Sequence, residues 1–161
     1  MVIWIYGLAG SGKTTINKKL CIYLKQKNHK VISLDGDDLR LIWGNDLGHD
    51  IKSRFKNADR ASKLTKYLYD QKFFVVVSML SIFPEWLDWN RKNIADYKEV
   101  FLDAPLGILK KRKDIYENKK NVVGKDIPYD FKKNFEVKIS PPDIFESADY
   151  ITDLIIKKLV I

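Results

Sequence analysis

The chain has 161 residues, 45% of them hydrophobic, enough for one domain with a sizeable core and too few to leave much room for a second. Its formal net charge of +8 comes from 29 basic and 21 acidic residues scattered along the chain, and a polyanionic small substrate explains that charge as well as nucleic acid does, since the sequence carries no recognised nucleic-acid-binding module. A single cysteine excludes an internal disulfide, two histidines without metal-ligand spacing exclude a zinc site, and no apolar run approaches the ~20 residues that span a bilayer.

In chain order, the apolar run Val2 to Tyr6 predicts a buried strand, Gly7 to Gly12 a glycine-rich turn, and Lys13 to Gln26 a helix on which Cys21 shares the apolar spacing of Leu20 and Leu24. Val31 to Leu34 predicts a second strand, Ser53 to Gln71 a helix, Phe73 to Ser78 a third strand, Pro84 to Ile94 a helix, and Glu99 to Leu102 a fourth strand. Leu106 to Tyr116 predicts a further helix, Tyr150 to Thr152 a last strand and Ile155 to Val160 a short closing helix. The stretch 118–134, NKKNVVGKDIPYDFKKN, is polar, basic and interrupted by Gly124 and Pro128; it predicts a mobile lid, which with Arg112 spans roughly residues 112–134. Short apolar strands alternating with longer helices predict an α/β domain over residues 1–161, a parallel sheet with helices on both faces. Ligands of such sheets bind at the carboxyl ends of the strands. The first residues lack the charged start, long apolar core and cleavage site of a signal peptide, so a soluble cytoplasmic protein is expected.

Gly7, Gly12, Lys13 and Thr14 satisfy G-x-x-x-x-G-K-[ST] between a predicted strand and helix. Backbone amides from Gly7 through Gly10, Ser11, Gly12 and Thr15 can wrap phosphate oxygens, Lys13 can reach the outer phosphates, and the Thr14 hydroxyl can hold Mg2+. An ATP or GTP site follows. The second strand runs into LDGDDLR, residues 34–40, which brings three carboxylates and an arginine beside that loop. Phosphoryl transfer needs oxygen ligands for a metal ion and an acceptor for the proton of the attacking hydroxyl, and Asp35 and Asp37 are the candidates, with Thr14 and Asp35 for the metal. Asp38 reads as a helix cap in a solvated turn, and Arg40 as a phosphate ligand. Trp86 and Trp89, three apart on one helical face, suit the core or a homodimer contact.

The ordered set GLAGSGKTT, LDGDDLR, DLG at Asp46 to Gly48, Arg54-x-x-Asn57, VFLDAPL at Val100 to Leu106 and GKDIPYD at Gly124 to Asp130 resembles the adenylylsulfate kinases over roughly residues 2–145. The resemblance implies a P-loop kinase that transfers the ATP γ-phosphate to the 3′-hydroxyl of a nucleotide. It further implies that Asp37 orients and deprotonates that hydroxyl, that Arg40, Arg54 and Asn57 hold the acceptor's anionic groups, that Val77 and Ser78 touch the acceptor, and that Arg112 stabilises charge from the lid. It also implies a dimer. Two departures stand out: where the family sandwiches adenine between two phenylalanines, this sequence has His49 and Val122. They suit a smaller base, and the sequence is similar to the variant type that phosphorylates cytidine diphosphoramidate, an intermediate of phosphoramidate decoration on bacterial surface (capsular) polysaccharide. Adenylylsulfate kinase activity in sulfate assimilation, another small-metabolite P-loop kinase that uses Arg54 and Asn57 differently, and a nucleotide-dependent nucleic-acid module remain as alternatives.

Overall fold

The computed structural model describes every residue except 113–115, 117–119, 130, 132–133 and the side chain of Arg112. Five strands, β1 (Val2–Tyr6), β2 (Val31–Asp35), β3 (Phe74–Met79), β4 (Tyr97–Leu102) and β5 (Val137–Ile139), form one parallel sheet in the order β2-β3-β1-β4-β5. Helices α1 (Lys13–Gln26), α2 (Gly36–Ile42), α3 (Ile51–Asp70), α4 (Pro84–Asn93), α5 (Leu106–Arg112) and α6 (Ala148–Leu159) connect and cover it. β1 lies at the centre, and all five of its residues are buried because both faces are covered.

Alternation along each strand divides the interior in two. Ile3, Ile5, Val76, Val100 and Leu102 face a core closed by Ile16, Leu20 and Leu24 of α1 and Ile151 and Ile155 of α6. Val2, Trp4, Tyr6, Val75, Val77 and Phe101 face a second core closed by Leu39, Ala61 and Leu87. Burying side chains of this size stabilises the fold by roughly 1.5–3 kcal/mol each. The sheet register aligns the carboxyl ends: Asp35 pairs with Ser78, Ile5 with Ser78, and Tyr6 with Met79. The loops leaving β1, β2 and β3 therefore start side by side.

The structure corrects three expectations. Tyr150 to Thr152 is no strand but the first turn of α6, because the Ser147 side chain accepts from Tyr150 N and places Ile151 and Ile155 one turn apart against the sheet. The fifth strand is Val137–Ile139, three residues with Val137 and Ile139 inside and Lys138 outside. The turn predicted after β2 is helix α2, and its cap is Asp35 rather than Asp38: Asp35 Oδ1 accepts from Asp37 N at 3.0 Å. Within the predicted lid, the described residues 120–129 make a packed turn, closed by Asp126 N to Val122 O at 2.8 Å and Gly124 N to Ile127 O at 2.9 Å, with Val122, Val123 and Ile127 buried in the first core. Among the described residues, no helix is long and apolar enough to cross a membrane.

Candidate active site

The phosphate loop follows from the left-handed backbone of its glycines. Gly10 and Gly12 take φ of 83° and 95°, and a Cβ on Gly7 would stand 2.5 Å from the Leu102 carbonyl oxygen, so β1 can pass that close to β4 only with glycine there. Gly12 is also the N-cap of α1 and offers no side-chain acceptor, which leaves the first-turn amides of Lys13, Thr14 and Thr15 directed out of the helix end. Lys13 Nζ donates to Leu8 O at 2.8 Å and so folds back over the loop. Tyr116 supports the loop from outside by donating to Ala9 O at 2.9 Å; burial raises its phenol pKa to about 12, so it stays protonated as that donor.

Asp35 joins this loop to the sheet. Its Oδ2 accepts from Thr14 Oγ1 and from Ser78 Oγ, both at 2.7 Å, while its Oδ1 caps α2. Behind it lies Asn17, a buried α1 side chain that sequence reasoning missed. Its amide nitrogen reaches Leu34 O, Val76 O and Ser78 Oγ, and its oxygen accepts from Ser33 Oγ at 2.7 Å, tying α1 to β2 and β3. A lone Asn inside a helical pattern gave no signal for this. Cys21 is buried beside Asn17 and donates to its oxygen at 3.3 Å; burial pushes the thiol pKa up.

Beside Asp35 opens a cavity lined by Gly36, Asp37, Arg40, Arg54, Asn57 and Ala58 of α2 and α3 together with Met79, Leu80, Ser81, Ile82 and Phe83 at and after the end of β3. Arg40, on α2, is only 8% exposed, and its Nη1 donates to Leu47 O and Gly48 O, fixing the loop between α2 and α3. Arg54, on the first turns of α3, donates from Nε to His49 O at 2.7 Å and from Nη2 to Asn121 O at 3.0 Å. Burial lowers the pKa of both guanidiniums, Asp37 and Asp50 oppose the shift, and the charge of Arg40 lowers Arg54 further. Neither has a carboxylate within ion-pair distance among the described residues, so two partly desolvated cations share one cavity wall. Asn57 Nδ2 donates to Gly36 O at 3.3 Å, while its buried Oδ1 has no partner among the described residues.

The structure thus brings Asp37, Arg40, Arg54 and Asn57 together on the cavity, with Thr14, Asp35 and Ser78 hydrogen-bonded beside it. It does not bring Val77, His49 or Val122 to the cavity lining. Val77 is fully buried in the second core and Val122 is 6% exposed in the first, so both side chains are taken up by packing; His49 is exposed on the loop whose carbonyl Arg54 grips. The side chain of Arg112, and Asp130 of the GKDIPYD stretch, lie outside the described residues. The apolar wall at Leu80 to Phe83 was missed by sequence reasoning; its signal was an apolar run that continues five residues past the predicted end of β3.

A parallel sheet whose first strand feeds a glycine-rich loop and a helix, with a carboxylate from the second strand on the Thr of that loop, defines a P-loop phosphotransferase. The model of the adenylylsulphate kinase family matches residues 1–140, and the chain belongs to that family. The cytidine diphosphoramidate kinase of Campylobacter jejuni is 39% identical over 99% of this chain and 96% of its own length. An adenylyl-sulfate kinase of Clostridium acetobutylicum is 33% identical over 86% of this chain and 73% of its own. Among solved structures, the Mycobacterium tuberculosis adenylylsulfate kinase in complex with AMPPNP and APS superposes with a TM-score of 0.88 at 30% identity, covering 99% of this chain and 97% of that one. The protein is a kinase, an ATP-dependent phosphotransferase.

Proposed function

We propose that this kinase transfers the ATP γ-phosphate to the 3′-hydroxyl of a ribonucleotide bound in the cavity beside the phosphate loop, and that the acceptor is cytidine diphosphoramidate, an intermediate of phosphoramidate decoration on bacterial surface polysaccharide. The observation that carries the reading is the pairing of Arg40 and Arg54 with Asp37 on one wall of that cavity. The two cations, without a carboxylate partner among the described residues, suit the charged 5′ group of a nucleotide, and guanidinium binds phosphate bidentately. Asp37 lines the same cavity, two residues after the Asp35 that touches the phosphate loop. The attacking oxygen bonds to the γ-phosphorus, the bond to the bridging oxygen breaks, ADP departs with that electron pair, and the hydroxyl proton passes to the Asp37 carboxylate. Lys13 and the amides from Gly7 through Gly10, Ser11, Gly12 and Thr15 hold the phosphates, and Arg112 neutralises charge that builds during transfer.

Thr14 and Asp35 offer hard oxygen donors, one bonded to the other, which fit magnesium; bound there, the ion would neutralise phosphate charge. Cytidine is favoured over adenine by His49 and Val122, neither of which offers the cavity an aromatic face, and by full-length similarity to the Campylobacter jejuni enzyme. The test is catalytic efficiency at one ATP concentration for cytidine diphosphoramidate, cytidine diphosphate and adenosine phosphosulfate, with the phosphorylated position read by 31P-coupled NMR. The cytidine compounds should be preferred and carry the new phosphate on the 3′-oxygen. A preference for adenosine phosphosulfate would make the protein an adenylylsulfate kinase.

A further inference from the structure

The run that shares the cavity with the two guanidiniums, Leu80 to Phe83, has no role in the chemistry above. After β3 the chain runs through Leu80 to Phe83 along the cavity, and Pro84 then opens α4. Ser81 sits at φ 54°, unusual for serine, and its hydroxyl accepts from Trp4 Nε1 at 2.7 Å, so the run is moored to the central strand. Among the described residues that line the cavity, Phe83 is the only aromatic side chain.

Its ring is braced from behind. Phe55 meets it edge-on, with centroids 5.2 Å apart at 82°; Trp86 lies 5.6 Å from Phe55, and Trp89 lies 5.9 Å from Trp86. The row thus spans α3 and α4, and Phe55 follows Arg54 directly in sequence, so one turn of α3 supplies both a cation of the polar wall and the brace of the aromatic one. T-shaped packing of this kind fixes ring orientation, and the half-buried Phe83 side chain still lines the cavity. The cavity therefore combines two cations with an aromatic ring, the two kinds of surface that a nucleotide's phosphates and base require.

We infer that the Phe83 ring, held in place by Phe55, is the surface on which the acceptor's base stacks, in place of any contact from His49 or Val122. The inference rests on the proposed reading of the cavity as the acceptor site. Stacking on an aromatic side chain contributes on the order of a tenfold to hundredfold gain in affinity per base. Phe83→Leu keeps an apolar group of similar reach and removes the π face, whereas Phe83→Tyr retains it.

The experiment measures dissociation constants by calorimetry for cytidine diphosphate, for ribose 5-diphosphate, which lacks the base, and for ATP, in wild type and both variants. Phe83→Leu should weaken cytidine diphosphate about tenfold while leaving ribose 5-diphosphate and ATP unchanged, and Phe83→Tyr should restore wild-type binding. Unchanged cytidine diphosphate affinity in Phe83→Leu, an equal loss for ribose 5-diphosphate, or failure of Phe83→Tyr to restore binding overturns the inference. Should wild type bind adenosine phosphosulfate better than cytidine diphosphate, the cytidine reading falls, and the same Leu and Tyr variants titrated with adenosine phosphosulfate decide the role of Phe83 alone. Should no nucleotide bind in the acceptor cavity, both fall together.

Discussion

Asp35 and Asp37 are two residues apart, yet the structure gives them different surroundings. Asp35 has both oxygens occupied, by the hydroxyls of Thr14 and Ser78 and the backbone of Asp37, while Asp37 turns into the cavity beside the arginines. Substituting each by asparagine should separate their duties. Asp37→Asn keeps the shape but removes the proton acceptor, and kcat should fall by about 100-fold or more while ATP affinity stays within twofold. Asp35→Asn should instead weaken magnesium-dependent ATP binding while leaving the α2 cap in place, since an asparagine oxygen caps a helix as well as a carboxylate does. Single-turnover kinetics with calorimetric ATP binding reads both; the opposite pattern would exchange the two roles. Most of this pair was legible in sequence, since LDGDDLR follows a predicted strand and the chemistry needs carboxylates there. Which carboxylate caps the helix was not, because that depends on where α2 starts, three residues earlier than a cap at Asp38 would place it.

Between elements, the least expected contact joins α4 to β4 and to the segment before β5. Glu99 is fully buried mid-strand, its Oε2 accepts from Arg91 of α4 at 2.6 Å, and Arg91 also donates to Asn134 O and to Asp88. The Glu136 carboxylate accepts from Glu99 N. Burial raises the Glu99 pKa from the ordinary 4.5 to about 7, with Arg91 opposing the shift and Glu136 adding to it. Because the folded state holds this proton more tightly than the unfolded chain, the stability it contributes is full below pH 4.5 and is lost as the pH rises to about 7. The expected observation, by urea unfolding across pH, is that wild type loses stability over that interval relative to Glu99→Gln and tracks it at higher pH; parallel curves throughout would remove Glu99 as the titrating group. A charged residue inside an apolar strand pattern reads from sequence only as a break in hydrophobicity. The same limit explains β5: three residues are too short for a period-two pattern to stand out, whereas Tyr-Ile-Thr at 150–152 looked like a strand by propensity until Ser147 capped a helix over it.

At the scale of the whole molecule, the fold was legible because its periods are long and clean: β1 and α1 were bounded correctly, and the alternation of strands and helices required a covered parallel sheet. The cavity's cationic residues were legible through motif resemblance, while its apolar ones were not, since only the tertiary arrangement shows that Leu80 to Phe83 lines the same cavity as α2 and α3. The parallel register that sets Asp35 beside Ser78 has a consequence for how the two substrates influence one another. One carboxylate touches the loop that grips the donor and begins the helix that carries Asp37 and Arg40 toward the acceptor. A shift of Thr14 on donor binding would therefore reach the acceptor side through Asp35, and cooperative binding is the expected outcome. Such cooperativity is reciprocal by thermodynamic necessity: the factor by which a non-hydrolysable ATP analogue tightens cytidine diphosphate equals the factor by which cytidine diphosphate tightens the analogue. We expect about fivefold or more in wild type and a factor close to one in Asp35→Ala, measured by titrating each ligand with and without the other; undiminished coupling in that variant would place the communication elsewhere. A kinase wired in this way engages its donor most firmly when an acceptor is present to receive the phosphate, which disfavours futile hydrolysis of ATP.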